Sequence, residues 1–335
     1  MIIVDAHIPG LVAALSPHHD VHAVDGRSIT NELLRTTAAT TLIIRSVTRV
    51  DTALLDGTSV TTVATATTGL DHIDVDALRR KNIRVVSAAG CNAQAVAEYV
   101  LDWIDVLRPT GTHTIGIIGF GNVGSRLARY ARMRGMRILV NDPPLVDAGF
   151  TFPAWAAPVT LYDLVKHATI VSVHVPYVEI GACPTRNLLS RTFIDLCQPN
   201  TLVINSARGG IVDETALVDR VMRGELTAVL DVFTGEPSVD QRVLEHIPYC
   251  TPHIAGYTYQ AKWRGAQMIL GALGLEHTPL QPVIPADSGA PYTYPRVTRA
   301  TVRSDTDFES LRMATPLRHE RRPLPTLEEC NASHA

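Results

Sequence analysis

Three polar side chains in the second half of the chain have the types needed to oxidise a hydroxyl group that lies beside a carboxylate. Arg208 follows the apolar run 201–204, Glu236 lies in a Gly-Glu-Pro segment, and His253 lies in a Thr-Pro-His segment. An arginine guanidinium binds a carboxylate through two parallel hydrogen bonds. A histidine exchanges protons near neutral pH, which suits it to accept a hydroxyl proton, and a carboxylate beside it would hold its ring. The three residues therefore predict an acid–base site in which Glu236 orients His253.

A glycine-rich segment predicts where a hydride acceptor binds. Residues 114–128 contain the pattern Gly-x-Gly-x-x-Gly, which follows an apolar run and opens a helical pattern. In this setting the first glycine permits a tight turn, the second lets the backbone approach a pyrophosphate, and the third lets the helix pack on the sheet. The free N–H groups at the start of the helix then point at the phosphates. The expected dinucleotide-binding residues of this loop are Gly119, Gly121, Asn122, Val123 and Gly124.

The next predicted strand ends in a carboxylate that distinguishes NAD from NADP. Asp142 lies eighteen residues after Gly124. An acid at this position accepts hydrogen bonds from the adenosine ribose and repels a 2′-phosphate. The sequence therefore predicts NAD as the cofactor. A glycine turn followed by an aspartate that only caps a helix is the alternative, and the combination of strand, loop, helix, strand and acid disfavours it.

The elements that position these residues alternate along the chain, which predicts an α/β fold with parallel sheets. The predicted strands are Ile2–Val4, Thr41–Ile44, Val60–Ala64, Arg84–Val86, Thr114–Ile118, Arg137–Val140, Ile170–Val173, Thr201–Ile204 and Ala228–Asp231. The predicted helices are Ala93–Leu107, Val123–Arg132, Leu161–His167 and Thr215–Arg223. Since the dinucleotide loop begins only near residue 119, the α/β segments before it must form a second lobe. We expect a substrate-binding domain at 1–92 and 257–275, an NAD-binding domain at 93–256, and a C-terminal extension at 276–335.

Proline and arginine are concentrated in that extension. Residues 280–295 are rich in proline and poor in helix signals, which predicts a linker or an extended arm. Seven arginines follow between Arg296 and Arg322. They form either a solvated surface or an arm that docks on a second subunit, and Phe308, Leu311 and Met313 give such an arm little apolar surface to bury.

Composition excludes several classes of protein. The chain has 335 residues, of which 46% are hydrophobic and 19% charged, with a formal net charge of −3. This balance excludes disorder over the whole chain and disfavours nucleic-acid binding through bulk positive charge. Apolar runs are too short for a membrane span, and Asp5 interrupts the first one, so we expect neither a membrane partner nor a secretory signal. Five widely spaced cysteines favour reduced thiols in the cytoplasm over a disulfide framework, and the histidines lack metal-ligand spacing.

Three segments resemble the D-isomer-specific 2-hydroxyacid dehydrogenase family. They are Asn205–Leu217, Gly235–Pro237 and Thr251–Gly256. The resemblance implies a Rossmann-like NAD-binding domain, a flavodoxin-like α/β substrate lobe and a homodimer. Six further segments resemble the branch of that family that oxidises 4-phospho-D-erythronate to the 2-oxo acid with NAD, a step of pyridoxal 5′-phosphate biosynthesis. These segments are Arg45–Val50, Ala64–Asp74, Gly90–Tyr99, Asn141–Pro144, His253–Thr258 and Lys262–Gly265.

The resemblance also implies roles for individual residues. Arg208 would bind the substrate carboxylate and the 2-oxygen, and Glu236 would pair with His253, the acid–base. The residues expected to line NAD are Asp142, Val175, Ser206, Ala207, Arg208, Asp231 and Gly256. Those expected to contact substrate are Ser46, Thr67 and Tyr257. Arg45, beside Ser46 at a strand end, is the candidate for the 4-phosphate, with an ion pair inside the small lobe as its alternative.

The sequence departs from the family pattern, which affects the expected dimer geometry more than the chemistry. Val175 replaces the usual threonine, the loop 177–187 is unusual, and the C-terminal region is shorter than the family's dimerisation domain. Another dehydrogenase of the family, such as one that uses 3-phosphoglycerate, fits the same acid–base residues. So does an NAD-sensing regulatory protein, because fold alone does not define activity. A degenerate enzyme that assembles poorly is a third alternative.

Overall fold

The computed structural model describes residues 1–333, and the chain divides into two compact units. Unit 1 contains residues 1–92, 257–290 and 318–320. Unit 2 contains residues 93–256, 291–317 and 321–333. The expectation that residues 276–335 form a separate extension is wrong, because this stretch is divided between the two units.

Unit 1 is built, within the described residues, on a five-stranded parallel sheet with the strand order β2-β1-β3-β4-β5. Its strands are β1 (Ile2–Asp5), β2 (Val21–Val24), β3 (Thr41–Ile44), β4 (Thr62–Thr65) and β5 (Arg84–Ser87). Its helices are α1 (Leu11–Leu15), α2 (Asn31–Thr36), α3 (Val75–Arg80) and α11 (Tyr259–Leu273), with a 3-10 turn at Gly26–Ser28. Helix α3 begins where the Asp74 side chain accepts the N–H of Ala77, which is a favourable N-cap.

The described part of unit 2 has a seven-stranded parallel sheet with the strand order β12-β11-β10-β9-β6-β7-β8. Its strands are β6 (Thr114–Ile118), β7 (Arg137–Asn141), β8 (Ala156–Pro158), β9 (Ile170–Val173), β10 (Thr201–Asn205), β11 (Leu226–Leu230) and β12 (Tyr249–Cys250). Its helices are α4 (Ala93–Leu107), α5 (Asn122–Met133), α6 (Pro143–Asp147), α7 (Leu161–His167), α8 (Arg191–Leu196), α9 (Glu214–Met222), α10 (Gln241–His246), α12 (Asp305–Ala314) and α13 (Leu327–Ala332).

Both faces of the unit 2 sheet are buried, which explains why its central strands are apolar throughout. Val203 packs in one hydrophobic core, whereas its neighbour Ile204 packs in another. Side chains alternate between the faces of a strand, so the two cores lie on opposite sides of the sheet. In such a parallel sheet, the loops that follow the strands all lie at the carboxyl edge. Ligands of open α/β sheets bind at this edge.

The predicted strands and helices are present, with ends that differ by at most two residues. The sequence patterns do not predict β2, β8 and β12. Strand β2 is an edge strand of half-buried and exposed residues, and β8 is an edge strand of three residues that includes Pro158. Such strands lack the continuous apolar run of a central parallel strand.

The C-terminal stretch packs on its own chain. Arg322 donates to Asp102 at 2.6 Å and to Asp105 at 3.0 Å, both on α4. The buried carboxylate of Glu98 accepts the backbone N–H groups of residues 321 and 322, each at 3.0 Å. Phe308 on α12 is fully buried and meets the Phe233 ring edge-on at 5.9 Å. The expectation of little apolar burial is therefore wrong for Phe308. Residues 280–295 have no helix or strand, as predicted.

Within the described residues, the structure has no helix long and apolar enough to cross a membrane.

Candidate active site

The glycine-rich loop joins β6 to α5, and close backbone contacts require two of its glycines. Gly119 has a φ of +91°, and a Cβ there would lie 2.9 Å from the backbone of His174. A Cβ on Gly124 would lie 1.9 Å from the Gly119 carbonyl oxygen. Beside Gly121, by contrast, no described atom apart from its chain neighbours lies within 4 Å of where a Cβ would be. The loop is therefore tightly packed behind and open at Gly121, which fits a dinucleotide pyrophosphate at the start of α5.

Asp142 ties the glycine-rich loop to the neighbouring strand. Its Oδ2 accepts the N–H of Phe120 at 2.7 Å, and its Oδ1 accepts the N–H of Leu145 at 3.2 Å, which caps α6. A carboxylate has about four acceptor positions, so hydrogen-bonding capacity remains for ribose hydroxyls. The capping role that sequence analysis weighed as an alternative is thus present, and the carboxylate keeps acceptor capacity for a ligand.

Glu236 and His253 form a direct pair. The Nδ1 atom of His253 lies 2.7 Å from Oε2 of Glu236, and Phe233 donates its N–H to Oε1 at 2.7 Å. Burial raises the pKa of Glu236, but the charge and hydrogen bond of His253, the Phe233 N–H and the charge of Arg312 together bring that pKa below its ordinary value. Glu236 is therefore ionised and accepts a proton-bearing Nδ1. The other ring nitrogen of His253, Nε2, is left for a substrate proton.

Asp231 holds the loop that carries His253. Its carboxylate is 1% exposed. Oδ1 accepts from the Thr251 hydroxyl at 2.6 Å and the Ile254 N–H at 2.8 Å, and Oδ2 accepts the Ala255 N–H at 2.8 Å. These bonds span residues on both sides of His253, whose φ is +55°, a conformation that costs energy for a non-glycine residue. Burial raises the pKa of Asp231 to about 6, although His253, Thr251 and the two N–H groups oppose the rise.

The loop after β10 carries Arg208. The buried side chain of Asn205 bridges this turn, because its Nδ2 donates to the Arg208 carbonyl at 2.9 Å and its Oδ1 accepts the Ala207 N–H at 3.1 Å. The Arg208 guanidinium donates to the Ala207 carbonyl at 2.7 Å. The hydroxyl of Ser206 is buried and has no hydrogen-bond partner among the described residues. An unpartnered hydroxyl in a loop predicted to line NAD fits a polar ligand there.

Two other predicted cofactor residues lie at loops of the same unit. Val175 follows β9, and its side chain approaches Gly119, since a Cβ on that glycine would lie 2.9 Å from Val175 Cγ1. Gly256 is the last residue of the 93–256 segment of unit 2.

Next to Val175, His174 has its Nε2 at 2.8 Å from the Ser172 hydroxyl. Burial lowers the pKa of His174 to about 3, so this ring is neutral at physiological pH.

The predicted substrate residues all belong to unit 1. Ser46 and Thr67 follow the adjacent parallel strands β3 and β4, so both lie at the carboxyl edge of that sheet. The Lys262 ammonium lies 4.5 Å from the centre of the Tyr257 ring.

Arg45 forms the ion pair that sequence analysis left open as its alternative. It donates to both carboxylate oxygens of the fully buried Asp5, at 2.8 and 3.2 Å.

Sequence reasoning missed Glu214 and Thr234, which connect the loops that carry Arg208 and Glu236. Oε1 of Glu214 accepts the N–H of Thr234 at 2.6 Å and its hydroxyl at 2.8 Å. The only sequence signal is a glutamate that follows an N-cap aspartate at the start of a helix, which is too common to suggest a site.

Comparison with known proteins shows which proteins this chain is similar to. Residues 102–255 match the family model "D-isomer specific 2-hydroxyacid dehydrogenase, NAD binding domain". A protein of Hahella chejuensis named erythronate-4-phosphate dehydrogenase is 38% identical over 276 residues, which covers 80% of this chain and 70% of the relative. Proteins of the same name from Salinibacter ruber and Acinetobacter baumannii are each 40% identical, over 161 and 159 residues. Those two alignments cover 48% of this chain and 41% and 43% of the relatives.

Solved structures share the fold. The TT0316 protein from Thermus thermophilus has a TM-score of 0.69 and 26% identity, with 84% of this chain and 99% of that chain covered. D-lactate dehydrogenase from Aquifex aeolicus, solved with NAD and lactic acid, has a TM-score of 0.64 and 22% identity, with 82% of this chain and 94% of that chain covered.

Proposed function

The chain belongs to the D-isomer-specific 2-hydroxyacid dehydrogenase family, and we propose that it oxidises 4-phospho-D-erythronate to (R)-3-hydroxy-2-oxo-4-phosphooxybutanoate with NAD, as a step of pyridoxal 5′-phosphate biosynthesis. The observation that carries the proposal is the 2.7 Å contact between His253 Nδ1 and Glu236 Oε2, in the unit that holds the NAD-binding domain. The relatives named erythronate-4-phosphate dehydrogenase support the choice of substrate.

The side chains of unit 2 divide the chemistry among them. Arg208 binds the substrate carboxylate and the oxygen on C2 through its planar guanidinium. Neutral His253 accepts the C2 hydroxyl proton at Nε2 and becomes an imidazolium, which the ionised Glu236 stabilises through Nδ1. NAD, when bound, supplies the acceptor for the hydride that leaves C2. Loss of that proton and hydride converts the 2-hydroxy acid into the 2-oxo acid.

The residues that would hold NAD fall into two groups. The loop residues Gly119, Gly121, Asn122, Val123 and Gly124 offer backbone N–H groups to its phosphates, and Asp142 accepts from its ribose. The second group lines the remainder of the cofactor and consists of Val175, Ser206, Ala207, Arg208, Asp231 and Gly256. Because the Asp231 carboxylate already binds residues 251–255, any contact it makes with NAD uses its remaining acceptor capacity.

Ser46, Thr67 and Tyr257 are proposed to contact the substrate. Two of them offer hydroxyls that follow adjacent strands, which suits hydrogen bonds to a polyhydroxylated acid. Arg45 is a weaker candidate for the 4-phosphate than the sequence suggests, because Asp5 occupies its guanidinium.

Nicotinamide absorbance with the purified protein tests the proposal. NAD is combined with 4-phospho-D-erythronate, D-3-phosphoglycerate or D-lactate, and a parallel series adds a 2-oxo acid to re-oxidise cofactor that stays bound, with product followed directly. We expect turnover selective for 4-phospho-D-erythronate. Turnover of another hydroxy acid would retain the mechanism and reject the substrate. Binding of NAD without any turnover would favour a sensor of the cofactor.

We also propose that the protein works in the cytoplasm as a homodimer. All five cysteines are free thiols, which suits a reducing compartment. The homodimer rests on the family resemblance, and size-exclusion chromatography with light scattering tests it.

A further inference from the structure

Two loops of unit 2 touch through their backbones. The Arg208 loop comprises residues 206–213, and the Glu236 loop comprises residues 231–237. A Cβ on Gly209 would lie 1.9 Å from the carbonyl oxygen of Phe233 and 2.6 Å from the nitrogen of Thr234. Only glycine permits this approach. The backbones of the two loops are therefore in direct van der Waals contact, which restricts their movement against each other.

Side chains reinforce that backbone contact. The Thr234 hydroxyl accepts the N–H of Gly210 at 3.0 Å and donates to Oε1 of Glu214 at 2.8 Å. The same carboxylate oxygen accepts the Thr234 N–H at 2.6 Å. Thr234, which belongs to the Glu236 loop, therefore bonds to Gly210 in the Arg208 loop and to Glu214 just after it. Gly210 lies two residues after Arg208, and Thr234 lies two residues before Glu236.

We propose that Glu214 and Thr234 are positioning residues for the oxidation, because together they fix the Arg208 loop against the Glu236 loop. The inference rests on the proposed function, in which Arg208 binds the substrate carboxylate and Glu236 orients His253. The hydroxyl proton and the carboxylate belong to the same small molecule, so the two loops must keep a fixed separation for both groups to act at once.

The chemistry of Glu214 supports a functional rather than a stabilising purpose. Its side chain is buried, and burial raises its pKa, with Asp240 and Glu236 adding to the rise and the two bonds from Thr234 opposing it. A carboxylate whose pKa is raised in the folded state costs stability when it is ionised. A neutral apolar residue would avoid that cost but would accept neither bond from Thr234, so the carboxylate suits a positional role.

Four variants and hydrogen exchange test the inference. Kinetic constants for 4-phospho-D-erythronate are measured for the wild type, T234V, T234S and E214M, with T201V as control, because Thr201 is a buried threonine at the opposite end of strand β10. T234V should lower kcat/KM on the order of tenfold, through misplacement of the Arg208 loop. T234S keeps the hydroxyl and should stay within about twofold of the wild type, as should T201V. Exchange of the Gly210 amide should be faster in T234V than in T234S.

E214M, which removes the acceptor oxygen and keeps a side chain of similar length, separates positioning from stability. At pH 8 we expect its kcat/KM to fall while its thermal midpoint is unchanged or higher. A fall in the midpoint in step with activity would make Glu214 merely structural and overturn the inference. An active wild type with an equally active T234V, or a T201V that loses as much, would also overturn it. A wild type that oxidises none of the hydroxy acids would instead overturn the proposed function, and the positioning role with it.

Discussion

Unit 1 and unit 2 hold their predicted site residues in different ways. In unit 2 the carboxylates of Asp142, Asp231 and Glu236 each accept backbone N–H groups from the loops that carry the site. In unit 1 the one predicted site residue with a charge, Arg45, is bound by a buried carboxylate of its own sheet. The carboxylates of unit 2 hold the loops of the candidate site in place. In unit 1, by contrast, the charge of Arg45 is paired with that of a buried aspartate.

The largest expected effect comes from the acid–base pair of unit 2. H253A should lower kcat on the order of 10²–10⁴-fold, because it removes the proposed proton acceptor, Nε2. H167A, which removes an exposed histidine from α7, is the control in steady-state assays. Full activity of H253A would contradict its role.

Replacement of Arg208 tests whether charge alone is sufficient in unit 2. R208K keeps the positive charge but loses the planar pair of donors, so kcat/KM for the hydroxy acid should fall roughly 10²-fold. R223K, at an exposed arginine of the same unit, should be neutral. An unchanged rate in R208K would show that the carboxylate is bound elsewhere.

Asp231 links the shape of the His253 loop to pH. Its pKa is raised to about 6 in the fold, above its ordinary value of 3.8. A raised carboxyl pKa means that stability is fully present below the unfolded value and is lost as pH rises through the folded one. Relative to D231N, the wild type should therefore lose roughly 2–3 kcal/mol of unfolding free energy between pH 4 and pH 7. Denaturant unfolding at both pH values measures this, with D20N as an exposed control. A difference that does not change with pH would contradict it.

The smallest expected effect concerns the ion pair of unit 1. R45M leaves the buried Asp5 carboxylate without its main partner and should cost about 2 kcal/mol of unfolding free energy, since Arg45 is partly exposed. R79M breaks an exposed pair in the same unit and should cost less than about 0.5 kcal/mol. The preference for a phosphorylated over an unphosphorylated hydroxy acid should survive in R45M. Selective loss of that preference would return Arg45 to the phosphate site and remove the contrast between the units.

The features of unit 2 that could be predicted depend on local order. The three glycines of the dinucleotide loop lie within six residues, next to the strand and helix that the mechanism needs. Glu236 and His253 follow β11 and β12, which are neighbours in the sheet, so parallel strands bring them to the same edge. Their catalytic roles stay predictions, but their pairing follows from the fold.

The contacts that could not be predicted depend on strand order. Asp5 ends β1, which lies beside β3, and the register Val4 to Ile43 brings Asp5 next to the residues that lead into Arg45. The sequence separates them by forty residues and does not reveal that these strands are adjacent. Helix α13 did carry a usable local signal, the capping box of Thr326 and Glu329, which apolar periodicity alone overlooks.

The way the C-terminal stretch is packed has a consequence for how the chain can be divided. Residues 281–290 are mostly exposed and have neither helix nor strand, so a protease can reach them. A single cut there would release no fragment, because Phe308 is buried in unit 2 and Arg322 is bound by Asp102 and Asp105. The nicked protein would be a complex of two chains. The shorter chain, which includes residues 291–333, would stay bound to the longer one without a covalent link.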